Sequence, residues 1–262
     1  MYSLPALLTS LEKEAHIWIA FTDKHYNSAL LTWYESLLSE YEQKKYNDLY
    51  FRRHRKSYLI SHALLRATLS FYVNTPPEEL GFSYDSYGRP KIQKPGEISG
   101  ICFNLSRTRG VTACLISSSS HAGIDVESTL NLIDPEIMLR NVLLPDEIEN
   151  LKGLDGNSLK RRFLAYWTLK EAYVKAIGKG LSIPLTQFSF KLNPDGYVKV
   201  TFTPPLTDNP LRWQFAYLGL TREHILAVAL RKTETTDKYI KIFEVIPGSE
   251  RPRPWDNYSL TF

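Results

Sequence analysis

The sequence predicts an α+β fold made of two similar α+β halves, and three observations predict it. Long amphipathic helical stretches occur near residues 55–72 and 159–177. Each is followed by a turn-bearing strand pair, Phe82-Ser83-Tyr84…Gly88…Lys91-Ile92 and Phe188-Ser189-Phe190…Gly196…Lys199-Val200, and an apolar strand also lies beyond each, Val111–Leu115 and Ile225–Leu230. The run Ser117–Ser120 breaks the chain between the two series, which sets an N-terminal half at 1–120 and a C-terminal half at 121–262. Only a handful of positions match between the halves, so chance similarity is the rival to duplication.

At 262 residues, 43% hydrophobic and 23% charged, the chain reads as a soluble globular protein with a substantial core. A formal net charge of +4 suits anionic partners without specifying one. Cys102 and Cys114 sit in apolar runs with neither metal-ligand spacing nor a disulfide framework, which points to reduced thiols and the cytoplasm. The opening Met1-Tyr2-Ser3-Leu4-Pro5 has no positive n-region, and Glu12 and Lys13 interrupt the apolar stretch after it, so no signal peptide is expected. No run reaches the length of a membrane span.

Taken in order, His16–Phe21 reads as a first strand and Leu30–Leu38 as a helix with Trp33, Tyr34, Leu37 and Leu38 inward. Ser39 with Glu42 three residues later is a capping box opening a second helix through Lys45. The cluster Arg52, Arg53, His54, Arg55 and Lys56 then leads into a long helix, Arg55 to Tyr72, stopped by Asn74-Thr75-Pro76-Pro77. Basic residues at a helix start oppose the macrodipole unless an anion uses both. The cluster is therefore either a solvated face or a phosphate site; no recognition-helix or zinc-finger pattern supports DNA binding. Chain beyond Lys232 is less regular and is expected over the surface, ending in Arg251-Pro252-Arg253-Pro254-Trp255.

The second long helix contains Trp167-Thr168-Leu169-Lys170-Glu171-Ala172-Tyr173-Val174-Lys175, with Gly178 placed as a left-handed cap. Leu159, Phe163, Tyr166, Tyr173 and Ile177 form its core stripe, while Trp167, Glu171 and Lys175 share another face at i, i+4, i+8. Upstream, Gly123-Ile124-Asp125-Val126-Glu127 alternates, so a strand puts Asp125 and Glu127 on one face. Taken alone, the first pattern reads as a surface ion pair and the second as a polar strand face flanking a turn. Two neighbouring carboxylates nonetheless repel unless a cation lies between them, and oxygen ligands without His or Cys favour Mg²⁺.

Together, the strand acids and the Trp-x-x-Lys-Glu-Ala-x-x-Lys helix, followed by Gly178-Lys179-Gly180-Leu181, resemble the 4′-phosphopantetheinyl transferases, in particular the larger two-lobed, surfactin-synthetase-activating class. Tyr87-Gly88-Arg89-Pro90 is similar to that family's Gly-Lys-Pro segment, Phe103-Asn104-Leu105-Ser106 to its Phe-Asn-[Ile/Leu]-Ser-His, and the stretch from Leu38 to Lys45 to its Ser-Pro-Glu-Lys. The resemblance covers roughly residues 35–230, with one departure: Arg107 stands where the family usually has His.

The resemblance implies halves related by a pseudo-two-fold, with the active site at their junction. It also implies transfer of 4′-phosphopantetheine from coenzyme A to a serine of an acyl or peptidyl carrier protein, releasing 3′,5′-ADP. Asp125, Glu127 and Glu171 are the implied Mg²⁺ ligands, with Asp125 also against the coenzyme. Glu127 or Glu171, directly or through a metal-bound water, is the implied base, and Lys175 meets the departing phosphate charge. Lys45, Arg53, Arg89, Ser106 and Arg107 are expected to gather the coenzyme, with Lys45 and Arg107 at its 3′-phosphate and Arg53 resting only on charge and place. Lys170 is expected to be structural, paired with a nearby acid. The chain is expected to act as a monomer, without nucleic acid or membrane as partner. The rivals are another Mg²⁺-dependent phosphoryl-transfer enzyme and a non-catalytic basic nucleic-acid binder, and the latter has no use for three converging acids.

Overall fold

The computed structural model describes residues 4–86, 88–94, 100–131, 135–178, 180–193, 197–232, 236–248 and 252–256. Mixed helices and antiparallel strands confirm the α+β class. The chain divides into two compact units, residues up to Ser118 with Lys238–Asp256, and Ser119–Asp237.

The first unit begins with α1 (Leu4–Ser10), β1 (Glu14–Phe21), α2 (Ser28–Ser36), α3 (Glu40–Asp48) and α4 (Arg52–Val73). The predicted capping box is present at α3: the Ser39 N–H donates to Glu42 Oε2 at 2.8 Å, and the Glu42 N–H donates to Ser39 Oγ at 3.3 Å. Helix α4 starts three residues earlier than its sequence pattern predicts, so the basic cluster forms its first turn, and Asn74 ends it in the left-handed region. Next come the hairpin β2 (Gly81–Tyr84) and β3 (Pro90–Lys94), then β4 (Cys102–Thr108) and β5 (Val111–Ser117). Strand β5 pairs antiparallel with both β4 and β1. Trp18, Leu59, Ile60, Leu64, Phe103 and Ile116 share one apolar core beneath α4. Cys102 and Cys114 are thiols, Cys114 fully buried and Cys102 partly so.

The second unit contains β6 (Ala122–Ser128), α5 (Pro135–Val142), α6 (Pro145–Glu149), α7 (Gly156–Ile177), the hairpin β7 (Phe188–Leu192) and β8 (Val198–Phe202), then β9 (Trp213–Gly219) and β10 (His224–Arg231). Strand β10 lies between β6 and β9, antiparallel to both. Helix α7 covers this sheet, and its Tyr173 packs in an aromatic core with Phe188, Phe202 and Trp213. Asp208 accepts the Tyr173 hydroxyl at 3.0 Å and the Trp213 indole N–H at 2.8 Å, so the polar tips of that core are satisfied.

The chain beyond Lys232 departs from expectation. Tyr239–Glu244 forms β11, parallel to β1 with Trp18 opposite Phe243, and Arg253–Pro254 forms β12 beside it. Ile242, Phe243 and Val245 are buried in the first unit, so this segment is core sheet of the first unit and not a surface tail of a half running to residue 262. Lysines interrupt its apolar run and its partner strand lies more than 200 residues away, which hides it from local pattern reading. Tyr87, Lys179, Gly196 and Arg251 of the sequence motifs lie outside the described residues.

Candidate active site

In the second unit the Gly-x-Asp-x-Glu strand and the Lys-Glu helix are neighbours because Gly123 allows it. A Cβ there would lie 2.1 Å from the Ala172 carbonyl oxygen and 2.5 Å from the Ala176 nitrogen, so only glycine admits the α7 backbone this close to β6. On β6, Asp125 is buried and Glu127 half-buried, and they stand opposite Ala227 and Ile225 of β10. On α7, Trp167, Glu171 and Lys175 are half-buried along one line while the residues between them are core, as their spacing predicted. Gly178 caps the helix at φ 69°, its N–H bonding to the Val174 and Lys175 carbonyls.

The electrostatics of this cluster follow from those placements. Lys175 Nζ lies 2.7 Å from Asp125 Oδ1, and the Asn131 side chain donates to Glu127 Oε2 at 3.0 Å. The Glu171 carboxyl is pushed up to about 7, by desolvation first and then by the Asp125 charge; Lys175 opposes the shift and Glu127 adds to it. Its Oε1 is buried without a hydrogen-bond partner. Among the described residues no three His, Cys, Asp or Glu side chains converge tightly enough to enclose a metal ion. The donor chemistry nonetheless fits a hard dication: three carboxylates, one with an unsatisfied buried oxygen and raised by desolvation and then by like charge.

Lys170, adjacent to Glu171, is structural, as the sequence predicts. Its ammonium is fully buried and donates to Glu147 at 2.7 Å and to the Leu185 and Phe188 carbonyls at 2.8 and 2.7 Å. Glu147 also accepts the backbone N–H groups of Leu144 and Phe190 at 2.9 and 2.8 Å, which ties α6, α7 and β7 together. Burial pushes the Glu147 carboxyl up and the Lys170 ammonium down, and the attraction between them opposes both shifts.

In the first unit the proposed phosphate-gathering residues are spread over several elements. Lys45, exposed near the end of α3, lies 4.5 Å from the Tyr41 ring centroid and 5.8 Å from that of Tyr84. Arg107, exposed on β4, has its guanidinium carbon 5.1 Å from the Tyr58 ring centroid, and desolvation lowers its pKa from the ordinary value. Ser106, next to it, is buried, and strand alternation sends the two side chains to opposite faces of β4. Arg89 sits in the β2–β3 turn, its backbone N–H bonded to Asp85 Oδ1 at 3.0 Å. Arg53, in the first turn of α4, is exposed over the Phe51 ring and donates to His54 at 3.3 Å. Two of its basic neighbours hold backbone instead: Arg55 bonds the Leu49 and Asn47 carbonyls, and Lys56 the Lys24 carbonyl.

Sequence reading missed the network that links Lys45 to Arg107. Glu42 accepts from Arg66 Nη2 at 2.7 Å, from the Tyr84 hydroxyl, and from His62 Nδ1 at 3.0 Å; the His62 ring in turn lies tilted against Tyr58, centroids 4.2 Å apart. Desolvation favours the neutral Glu42 acid, but the His62, Arg66 and Tyr84 contacts outweigh it and hold its pKa well below the usual carboxylate range. The available signal was the i, i+4, i+8 spacing of Tyr58, His62 and Arg66 on α4.

A family model described as the 4′-phosphopantetheinyl transferase superfamily matches residues 122–229, the span from β6 to β10. Over 200 residues the chain is 32% identical to the 4′-phosphopantetheinyl transferase HetI of Nostoc sp., covering 76% of this chain and 83% of that protein. It is 30% identical over 165 residues to the 4′-phosphopantetheinyl transferase Sfp of Bacillus subtilis, covering 63% and 71%. A phosphopantetheinyl transferase of Thraustochytrium sp. is 27% identical over 207 residues, covering 75% and 71%. Identity of this level over most of both chains, with the matched span holding all three carboxylates, makes the chain a member of the 4′-phosphopantetheinyl transferase family.

Proposed function

We propose that the chain transfers the 4′-phosphopantetheine group of coenzyme A to a serine hydroxyl of an apo acyl or peptidyl carrier protein. The serine oxygen forms a bond to the phosphorus of the pantetheine-bearing phosphate, the pyrophosphate P–O bond breaks, and 3′,5′-ADP leaves with the electron pair. The observation that carries this reading is the buried Glu171 oxygen without a partner, in a carboxyl raised by desolvation first and then by the charges of Asp125 and Glu127. Such a cluster is built to receive positive charge, and Asp125, Glu127 and Glu171 would hold Mg²⁺. When bound, the metal supplies neutralisation of pyrophosphate charge.

The remaining work falls to the chain's own groups. Glu127 or Glu171, directly or through an ordered water, takes the serine proton, since a neutral hydroxyl is a weak nucleophile. Lys175 stands within reach of the Asp125 carboxylate, where its charge can follow the charge developing on the leaving phosphate. Lys45, Arg53, Arg89, Ser106 and Arg107 are assigned to the coenzyme, Lys45 and Arg107 to its 3′-phosphate. Reduced thiols at Cys102 and Cys114 support action in the cytoplasm, and we assign a monomer.

Mass spectrometry of apo carriers incubated with the protein, coenzyme A and Mg²⁺ tests this reading. A mass gain of one phosphopantetheine on the carrier serine is expected. No gain on any fatty-acid, polyketide or nonribosomal-peptide carrier, with folded protein and magnesium present, would overturn it.

A further inference from the structure

Arg107 is the exposed end of a contiguous series of side chains whose other members are buried. Its guanidinium carbon is 5.1 Å from the Tyr58 ring centroid, and the Tyr58 and His62 rings lie 4.2 Å apart with planes inclined by 34°. His62 is held by Glu42, and Glu42 by Arg66. Tyr58, His62, Glu42 and Arg66 are all buried. The Tyr58 hydroxyl makes no hydrogen bond among the described residues, so its contribution here is the ring. Helical spacing of Tyr58 and His62 on α4 keeps the two rings in register.

We propose that Tyr58 is a positioning residue: its ring, braced by His62, holds the Arg107 guanidinium in the orientation that recognises a phosphate monoester of the coenzyme. This rests on the reading that Arg107 meets the coenzyme's 3′-phosphate. An arginine on open solvent samples many rotamers and loses that freedom when it binds, whereas a ring 5.1 Å from the guanidinium carbon removes part of the loss beforehand. A cation–π contact uses none of the guanidinium N–H groups as hydrogen-bond donors, so they remain for phosphate oxygens. A chain with arginine at 107 therefore depends on an aromatic ring at 58.

The test compares KM for coenzyme A and for dephospho-coenzyme A at saturating apo carrier, in wild type, Arg107→Ala, Tyr58→Leu, Tyr58→Phe and the Tyr58→Leu/Arg107→Ala double variant. Tyr58→Leu is expected to lower discrimination between the two coenzymes about threefold to tenfold through KM for coenzyme A, with kcat within about twofold. Tyr58→Phe should restore it, and Tyr58→Leu should add nothing once Arg107 is alanine. Wild-type discrimination in folded Tyr58→Leu, beside a clear loss in Arg107→Ala, overturns the positioning role and leaves the phosphate contact standing. Unchanged discrimination in Arg107→Ala overturns the contact and the proposal together. If Tyr58→Leu does not fold, Arg107→Lys decides, because position 107 is exposed: full retention of discrimination by a cation without the planar guanidinium overturns the proposal, and loss supports it.

Discussion

In the second unit the Lys175 ammonium sits 2.7 Å from Asp125 Oδ1, while Glu171, one turn earlier on α7, keeps a buried oxygen with no partner. The lysine charge is thus engaged with one acid, and the excess negative charge falls on another.

That imbalance predicts the behaviour of Glu171→Gln. Removing a desolvated charge from beside Asp125 and Glu127 relieves repulsion, so the variant should melt no lower than wild type in metal-free buffer at pH 7.5. Transfer should fall on the order of 100-fold or more, and the thermal stabilisation that Mg²⁺ gives wild type should shrink. Near wild-type turnover at saturating Mg²⁺ would remove Glu171 from the metal assignment.

Gly123→Ala tests whether the close approach of β6 and α7 matters for chemistry. The added methyl meets helix backbone, which has to shift, and overpacking of this kind costs about 1–3 kcal/mol or more. Activity should drop further than that cost explains at temperatures where the variant remains folded, because Glu171 and Lys175 move with the helix. Full activity in the folded variant would show that the cluster tolerates a displaced α7.

Lys170→Met should destabilise the second unit by about 3–5 kcal/mol, since Glu147 is left as an unpaired buried charge. Adding Glu147→Gln should recover part of the loss, because Gln keeps a carbonyl acceptor and sheds the charge. Denaturant melts of the single and double variants measure both steps. Additive losses in the double variant would mean that the pair does not act as a unit.

Acid should destabilise the first unit through Glu42 and His62. Glu42 has a folded pKa below its unfolded value, so its stabilisation is present above about pH 4.5 and is lost as pH falls toward the folded pKa. Desolvation chiefly lowers the His62 pKa as well; the unfolded chain then binds the extra proton, and stability declines as pH drops below about 6.5. Melts from pH 8 to 4 should show this decline, and Glu42→Gln should be less stable at pH 7 with a flatter profile below 5. An equally steep profile in Glu42→Gln would place the acid sensitivity elsewhere.

The carboxylate cluster was legible in advance because each of its parts is local. Alternation in Gly123–Glu127 names a strand face, and the i, i+4, i+8 placement of Trp167, Glu171 and Lys175 names a helix face. The Glu42–His62–Arg66 network was not, since it joins α3 to α4 across 20 and 24 residues and Glu42 already had a sufficient local explanation as a cap. Ser106 and Arg107 entered together through the motif they share, and the motif did not say that one is buried and the other exposed, which the strand alternation of β4 decides.

By itself, the sequence determined what acts within a turn or two of backbone: helix periods, the Ser39 cap, the Gly178 stop, the two hairpins, and the motifs that mark the family. Tertiary structure alone decided that β11 pairs with β1, that Lys170 finds Glu147, that Arg107 rests on Tyr58, and that Gly123 lies under Ala172. Backbone sterics and periodicity are written residue by residue, whereas strand pairing, ion pairing and charge repulsion depend on separation through space. That separation is set only when the whole core has packed.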